Sequence, residues 1–572
     1  MSFFLTQQTI FGLVGGLGMF LFGMKLMSEG LQKIAGDRMR HILTSLTSNR
    51  VIAALVGVGL TALIHSSSAT TVMVVGFVNA GLLSLMQSIG VILGVNIGTT
   101  ITAQIIAFNI TRYALPIIGI GAVLRLFSKN RKHNYSGEVI LGLGLLFFGL
   151  IILREAFDPL RYSEDFRQLF LLVGDYKLFG VFVGAALTVL TQGSAATLAI
   201  TLALASSGLI TLDAGVALIL GENIGTTVTA NISAIGAGVA AKRAAFSHFL
   251  FNLTGVAYIL LLFPLFTKFI LAITPGEADF VVQTQEQMEI YSAAIGEKPY
   301  IARHIANAHT VFNVINALLF LPFIGVLAKV SSYVVRGSEK TRIDEGEQVK
   351  FIDDRVLNTP PVAIGQARRE TKRMAHIALE MLKETNAFME KGDMRKTHEV
   401  ERREAVVDLL QKEILNFLTK LSQRSISADT STAITTLMHI VNDVERVGDY
   451  CMNLCRLNAR KLNGHIRFSH TGVNEVASIA DAAGEFLDFV VTALDQDECD
   501  IFDRALEYEN VIDDLEETLR LNHIHRLNTG ECAVQPGLIF IDMLQSYEKI
   551  GDHTFKMARV LAESCKNETR SH

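Results

Sequence analysis

The sequence predicts an all-α chain: a polytopic membrane half built from inverted repeats with two re-entrant hairpins, followed by a polar half of helical bundles. Three observations carry that reading. Residues 81–103 (GLLSLMQSIGVILGVNIGTTITA) and 208–230 (GLITLDAGVALILGENIGTTVTA) are copies of each other, 127 residues apart. Charge is segregated: half of the 572 residues are hydrophobic and 19% charged, yet the chain is apolar and Gly-rich to about residue 335 and polar after Arg336. Finally, Glu-x-x-x-Asp recurs four times in the polar half, in two pairs.

Apolar stretches lie near 9–27, 51–80, 84–108, 113–128, 138–155, 176–207, 210–235, 244–271 and 303–335. Crossing a hydrocarbon core of roughly 30 Å takes about 20 helical residues. The stretches 51–80 and 176–207 differ from the rest because each holds a Ser/Thr-rich tract at its middle: His65-Ser66-Ser67-Ser68-Ala69-Thr70-Thr71 and Thr191-Gln192-Gly193-Ser194-Ala195-Ala196-Thr197. A polar tract there suits a hairpin that enters the membrane and turns back, since irregular backbone at that depth survives only under protein or along a watery cavity. The N-terminus lacks a basic segment ahead of its apolar run, so the first stretch reads as a retained helix rather than a signal peptide.

With the other seven segments crossing, basic residues fall in alternate loops: Lys33, Arg38, Arg40 and Arg50; Lys129, Arg131 and Lys132; Lys242 and Arg243; Arg336 and Lys340. Acidic residues dominate the opposite loops, 156–175 and 272–302. Basic loops face the cytoplasm. The polar half is therefore expected in the cytoplasm of a cell with an inner membrane, and the two hairpins enter from opposite sides. The expected organisation is a membrane transport domain at 1–335 (repeat 1 about 9–128, repeat 2 about 138–271, an extra helix at 303–335), a linker at 336–360 and a soluble domain at 361–572.

Duplicated halves with interrupted helices are how secondary transporters build one central site. A helix break exposes N–H groups that attract anions and C=O groups that attract cations. His65, Ser66, Ser67, Ser68 and Thr70 with Gln192, Gly193, Ser194 and Thr197 are the candidate cradle for a small oxyanion. Asn96-Ile97-Gly98-Thr99-Thr100 and Asn223-Ile224-Gly225-Thr226-Thr227 read as a second pair of breaks, whose Asn and Thr oxygens (Asn96, Thr99, Thr100, Asn223, Thr226, Thr227) suit a hard cation such as sodium. Glu222 stands where the first repeat has Val95, and an intramembrane carboxylate is a functional candidate by default. His248, His304 and His309 are titratable but lie outside the duplicated motifs.

Much is excluded. A net charge of −5 without a basic stripe argues against nucleic acid. No Walker loop, nucleophile elbow or zinc-hydrolase motif appears, so an enzyme is not expected. The five cysteines, Cys451, Cys455, Cys499, Cys532 and Cys565, all lie in the polar half without framework spacing and read as reduced thiols.

In the polar half the motifs are Glu404-x-x-x-Asp408, Glu445-x-x-x-Asp449, Glu509-x-x-x-Asp513 and Glu548-x-x-x-Asp552. Glu404 and Glu509 are 105 residues apart and Glu445 and Glu548 are 103, as two three-helix bundles would place them. Residues i and i+4 share a helix face, so facing pairs make a multi-oxygen site for a metal; alternatively, Arg446 and Lys549 pair with them as a surface network.

The tracts His65–Thr70 and Gln192–Thr197 resemble the duplicated Gln-Ser-Ser-Ser signature of type II sodium/phosphate cotransporters, in the bacterial branch with a C-terminal PhoU-like domain; His65, Gly193 and Ala195 depart from it. Val444-Glu445-Arg446-Val447-Gly448-Asp449-Tyr450 and Tyr547-Glu548-Lys549-Ile550-Gly551-Asp552-His553 resemble PhoU proteins. The resemblance implies an inverted-repeat carrier that binds inorganic phosphate between the hairpin tips and sodium beside it, and paired three-helix bundles that hold a divalent or iron-type metal and act in phosphate regulation. Implied partners are phosphate, sodium, the lipid bilayer, a second copy of the chain and cytosolic regulatory proteins. A phosphate exporter, a carrier of another oxyanion and a non-transporting membrane-anchored regulator share these motifs.

Overall fold

The computed structural model describes residues 7–44, 49–79, 81–108, 110–157, 159–160, 176–291, 293–337, 349–424 and 426–570, with side chains except at 36–44 and 565–570. The chain is all-α, with no strand among the described residues, and divides into two compact units, Met1–Glu339 and Lys340–His572.

The first unit contains α1 (Gln7–Thr44), α2 (Arg50–Ile64), α3 (Ser67–Asn79), α4 (Leu85–Ala107), α5 (Ala114–Phe127), α6 (Arg131–Phe157), α7 (Lys177–Thr191), α8 (Ser194–Ser206), α9 (Leu212–Ser233), α10 (Val239–Leu261), α11 (Phe263–Ile273), α12 (Gln285–Tyr291), α13 (Ile301–Phe320) and α14 (Ile324–Val334). Among the described residues five stretches are long and apolar enough to cross a membrane: Gln7–Ala35, Leu85–Ala107, Arg131–Phe157, Val239–Leu261 and Ile301–Val334. That is two fewer than the seven crossings expected. α5 has only 14 residues, short of the core at 1.5 Å per residue. α9 carries Asp213 and Glu222 among small and hydroxyl-bearing residues. Pro264 opens α11 just after α10 ends, and Pro322 sits in the turn between α13 and α14, where its missing N–H and fixed φ break the helical ladder.

The internal repeat is visible in the backbone. A Cβ on Gly94 would lie 1.8 Å from the Ala54 carbonyl oxygen, and one on Gly221, its counterpart, 2.0 Å from that of Val181. Gly57 and Gly184 match in the same way, 2.1 Å from the oxygens of Val91 and Leu218. α2 thus packs on α4, and α7 on α9, backbone against backbone. Around these pairs lies a core that includes Phe20, Phe147, Leu150, Leu202, Ala203 and Phe312.

The second unit comprises α15 (Pro360–Lys391), α16 (Arg395–Ser422) and α17 (Ala428–Asn463), then α18 (His470–Gln496), α19 (Phe502–Asn528) and α20 (Val534–Arg570). Ser427 and Ser469 cap α17 and α18 by accepting from the N–H groups of Thr430 and Gly472. Buried Tyr547 joins the two triplets by donating its hydroxyl to Asn386 Oδ1 at 2.8 Å. Of the expected linker, 338–348 lies outside the described residues; beyond it, Lys350 N donates to Glu370 Oε2 and Asp353 N to Gln366 Oε1, both at 3.0 Å. This stretch is therefore an arm of α15 rather than free chain. Loop residues 161–175, with Arg161 and Arg167, are also outside the described residues. Cys451, Cys455 and Cys532 are free thiols. Cys499 corrects the reading of five reduced cysteines: on the exposed turn after α18, where oxidation meets no packing barrier, it is held in a disulfide.

Candidate functional site

Each Ser/Thr tract lies at a helix break. α2 ends at Ile64, His65 turns left-handed (φ 50°), and α3 starts at Ser67; α7 ends at Thr191, Gln192 turns left-handed (φ 53°), and α8 starts at Ser194. A residue with a Cβ pays about 1–2 kcal/mol for that conformation, and here it recurs at the same register in both repeats. The local bonds differ. Ser66 caps α3, accepting from Ala69 N at 3.2 Å, while its carbonyl accepts from Thr70 Oγ1 at 2.8 Å. Gly193 has no side chain to cap α8; Thr191 Oγ1 donates to its carbonyl at 3.1 Å, and Thr188 Oγ1 donates to Thr197 Oγ1 at 3.0 Å.

The two breaks meet. Ser67 Oγ and Ser194 Oγ are hydrogen-bonded at 3.3 Å across 127 residues of sequence. Both serines open helices, so two helix N-termini, each with unpaired first-turn N–H groups, converge on one point. Beside it is a cavity of about 10 Å³, room for roughly one water. Its walls are His65 and Ser67 from the first break, Ser194, Ala195 and Leu198 from the second, Thr99 and Thr102 from α4, and Glu222 from α9. His65 Nδ1 lies 3.2 Å from Thr102 Oγ1.

Of the nine residues expected to cradle the anion, His65, Ser67 and Ser194 line this cavity. Thr70 and Thr197 are buried and bonded within their own hairpins; Gln192 is exposed, although His65 opposite it in the repeat is buried. Ser66, Ser68 and Gly193 stand at the breaks without lining it, and Ser68 Oγ is buried with no partner among the described residues.

The second pair of breaks is corrected: α4 and α9 run unbroken through both Asn-Ile-Gly-Thr-Thr motifs. Gly98 and Gly225 serve close approach instead, since a Cβ there would lie 2.6 Å from Thr61 Cβ and 2.7 Å from Thr188 Cβ. Asn96 and Asn223 donate to the carbonyls of Ile92 (2.9 Å) and Ile219 (2.7 Å). Thr99, Thr100, Thr226 and Thr227 donate to the carbonyls of Val95, Ile97, Glu222 and Ile224. Each threonine thus spends its one hydroxyl proton on its own helix, so that its oxygen can only accept, as a ligand of a hard cation does; of the six residues Thr99 borders the cavity. Thr102 was missed from the sequence although it sits one turn beyond Thr99 on the same face. His248, His304 and His309 are buried but line no part of the cavity.

In the second unit the four Glu-x-x-x-Asp motifs fall on α16, α17, α19 and α20, and influence one another in two sets. Among the described residues no group of three or more His, Cys, Asp or Glu side chains is placed to hold a metal ion. Arg446 Nη1 meets Asp449 at 3.1 Å, and Lys549 Nζ meets Glu548 at 3.1 Å and Asp552 at 2.6 Å. These ion pairs form the expected alternative network at Asp449, Glu548 and Asp552. Burial pushes the Glu509 carboxyl up to about 8, helped by the neighbouring Asp513 and Asp552; Glu404, Asp408, Glu445, Asp513 and Glu548 are raised for the same first reason.

Comparison with known proteins places both units. Residues 19–155 and 159–275 match the Na+/Pi-cotransporter family, and 371–457 and 476–561 match the PhoU domain. The chain is 25% identical to "Putative inorganic phosphate export protein YjbB" of Escherichia coli over 82% of each chain. It is 31% identical to the uncharacterized protein YqeW of Bacillus subtilis, over 53% of this chain and 91% of that one. A shorter match, 35% identical over 17% of this chain and 15% of the relative, is to sodium-dependent phosphate transport protein 2A of Rattus norvegicus. The chain is a membrane protein that belongs to the Na+/Pi-cotransporter family, with a PhoU domain following its membrane unit.

Proposed function

We propose that the protein is a secondary active transporter that moves inorganic phosphate together with sodium by alternating access, in the cell inner membrane, with its PhoU domain in the cytoplasm as regulator. The Ser67–Ser194 contact at 3.3 Å carries the reading. It brings one hydroxyl and one helix N-terminus from each repeat to a single point, and such ends bind oxyanions through backbone N–H groups. A cavity of about 10 Å³ is too small for phosphate, so the ion enters only when the two serines part and takes their hydrogen bonds in place of each other. His65 borders the same point. If the repeats are inverted, parting them toward one side closes the other, which is alternating access. Sodium is assigned to the oxygens of Asn96, Thr99, Thr100, Asn223, Thr226 and Thr227.

A second reading, export, is favoured by the name of the YjbB relative, which spans 82% of this chain. The same site serves either direction, because the gradients decide. Labelled phosphate flux through the purified protein in liposomes, with sodium gradients imposed inward and then outward, tests both. Flux that follows the sodium gradient supports coupling; flux indifferent to sodium removes it; absence of flux from inserted, folded protein removes the transporter reading. Regulation by the PhoU domain predicts that deleting residues 340–572 changes the flux of inserted protein.

A further inference from the structure

Glu222 breaks the repeat at the place where chemistry would matter most. Its counterpart in the first repeat is Val95, fully buried. Glu222 is 1% exposed, its Oε2 accepts no hydrogen bond among the described residues, and its side chain lines the cavity shared by Ser67 and Ser194. Among the described residues neither Lys nor Arg borders that cavity. A carboxylate buried without a partner is costly, and one that shares a cavity with phosphate also repels it. A single cation beside the carboxylate removes both penalties, and it does so best when the anion is present.

We propose that Glu222 is the anionic ligand of the sodium ion that travels with phosphate, so that the asymmetric carboxylate couples the cation to the anion. This rests on the phosphate reading of the Ser67–Ser194 site and adds to it the group that makes the two cargoes interdependent. Thr99 is placed to assist: its hydroxyl borders the same cavity and donates to the Val95 carbonyl at 3.0 Å, which leaves its lone pairs for a cation. The position of the carboxylate in the second repeat alone makes cation binding one-sided within a duplicated frame.

Two readouts on the full-length protein in detergent test the proposal, with sodium chloride replaced by choline chloride at constant ionic strength. The first is equilibrium binding of labelled inorganic phosphate; the second is the sodium-dependent rise in melting temperature without phosphate. The wild type should bind phosphate on the order of tenfold more tightly with sodium, a typical coupling between two ligands, and should melt higher with sodium because only the folded state binds it. Glu222→Gln should show neither response, its phosphate affinity being the same in both salts. Glu222→Asp keeps the charge one methylene further back and should retain both responses at a higher half-saturating sodium concentration, a control that holds even where the Gln variant folds poorly. Sodium responses of wild-type size and midpoint in Glu222→Gln or Glu222→Asp would overturn the proposal. A wild type that binds no phosphate in either salt removes the phosphate reading instead; a sodium-dependent melting shift that Glu222→Gln abolishes would still support Glu222 as the cation ligand.

Discussion

The two repeats of the membrane unit share their backbone and differ in their chemistry. Gly57 and Gly184, Gly94 and Gly221, and Gly98 and Gly225 make matching close approaches, and His65 and Gln192 adopt the same left-handed turn. At the same register His65 is buried against Thr102 while Gln192 is exposed, and Val95 of the first repeat corresponds to Glu222 of the second. Duplication has preserved what the helix pairs need in order to pack, and has let the side chains around the cavity diverge. Symmetry marks the scaffold and the paired serines Ser67 and Ser194, and asymmetry marks the groups beside them.

The largest effects should come from breaking the shared scaffold. Gly94→Val and Gly221→Val each push a side chain into a neighbouring carbonyl, 1.8 and 2.0 Å from the position of the first added carbon. Backbone cannot yield as a side-chain tip does, so each should cost about 3 kcal/mol or more and sharply reduce monodisperse protein on gel filtration. Equal losses would support a shared role, and a tolerated variant in either repeat would break the parallel.

The cavity should respond unequally to the next pair. His65→Ala removes a wall of the cavity and the Thr102 partner, and should weaken phosphate binding on the order of tenfold, the loss expected for one hydrogen bond near a charged ligand. Gln192→Ala should stay within about twofold, because the side chain is exposed and its loss leaves no buried group unpaired. Isothermal binding of phosphate to both variants would show the difference.

Smaller still is the contrast between Thr61 and Thr188, another matched pair. Thr188 Oγ1 bonds Thr197 at 3.0 Å, whereas Thr61 Oγ1 is buried without a partner among the described residues. Thr188→Val should destabilise by about 1 kcal/mol, and Thr61→Val should be neutral or slightly stabilising, as read by thermal melting.

The PhoU domain repeats the lesson. Its second half holds Glu509 at about 8, above its ordinary value of 4.5. Because the folded state retains this proton more tightly than the unfolded one, the contribution of Glu509 to stability is full below about pH 4.5 and is lost as pH rises through about 8. Glu509→Gln should flatten that decline, with hydrogen exchange in α19 slower than wild type above pH 8 and the difference vanishing toward pH 5. A wild-type pH profile in the variant would remove Glu509 as its source.

The duplicated tracts and the polar Glu-x-x-x-Asp motifs were legible in the sequence because they are local and repeated: all-α architecture, two units, breaks at His65 and Gln192, and the pairing of motif helices followed from them. What failed depended on context. Gly98 and Gly225 read as turn residues in isolation, but the tight partners that need a missing Cβ, Thr61 and Thr188, lie far away in the chain. Apolarity alone does not distinguish a span from a helix buried in protein, as at 210–235, or from one too short to span, as the exposed 14-residue α5 at 113–128. In the second unit spacing shows which face the carboxylates share, and not that Arg446 folds back onto Asp449 or Lys549 onto Glu548 and Asp552.

The central claim is that Ser67 and Ser194 hold one phosphate between two repeats. Sodium-driven phosphate uptake into liposomes should be measured for wild type, Ser67→Ala, Ser194→Ala and the double variant, each checked for insertion. Each single change should reduce uptake by about tenfold or more, and the double variant should fall less than the product of the two, because both serines act on one ion. Independent, multiplicative losses, or full uptake in either single variant, would contradict the account.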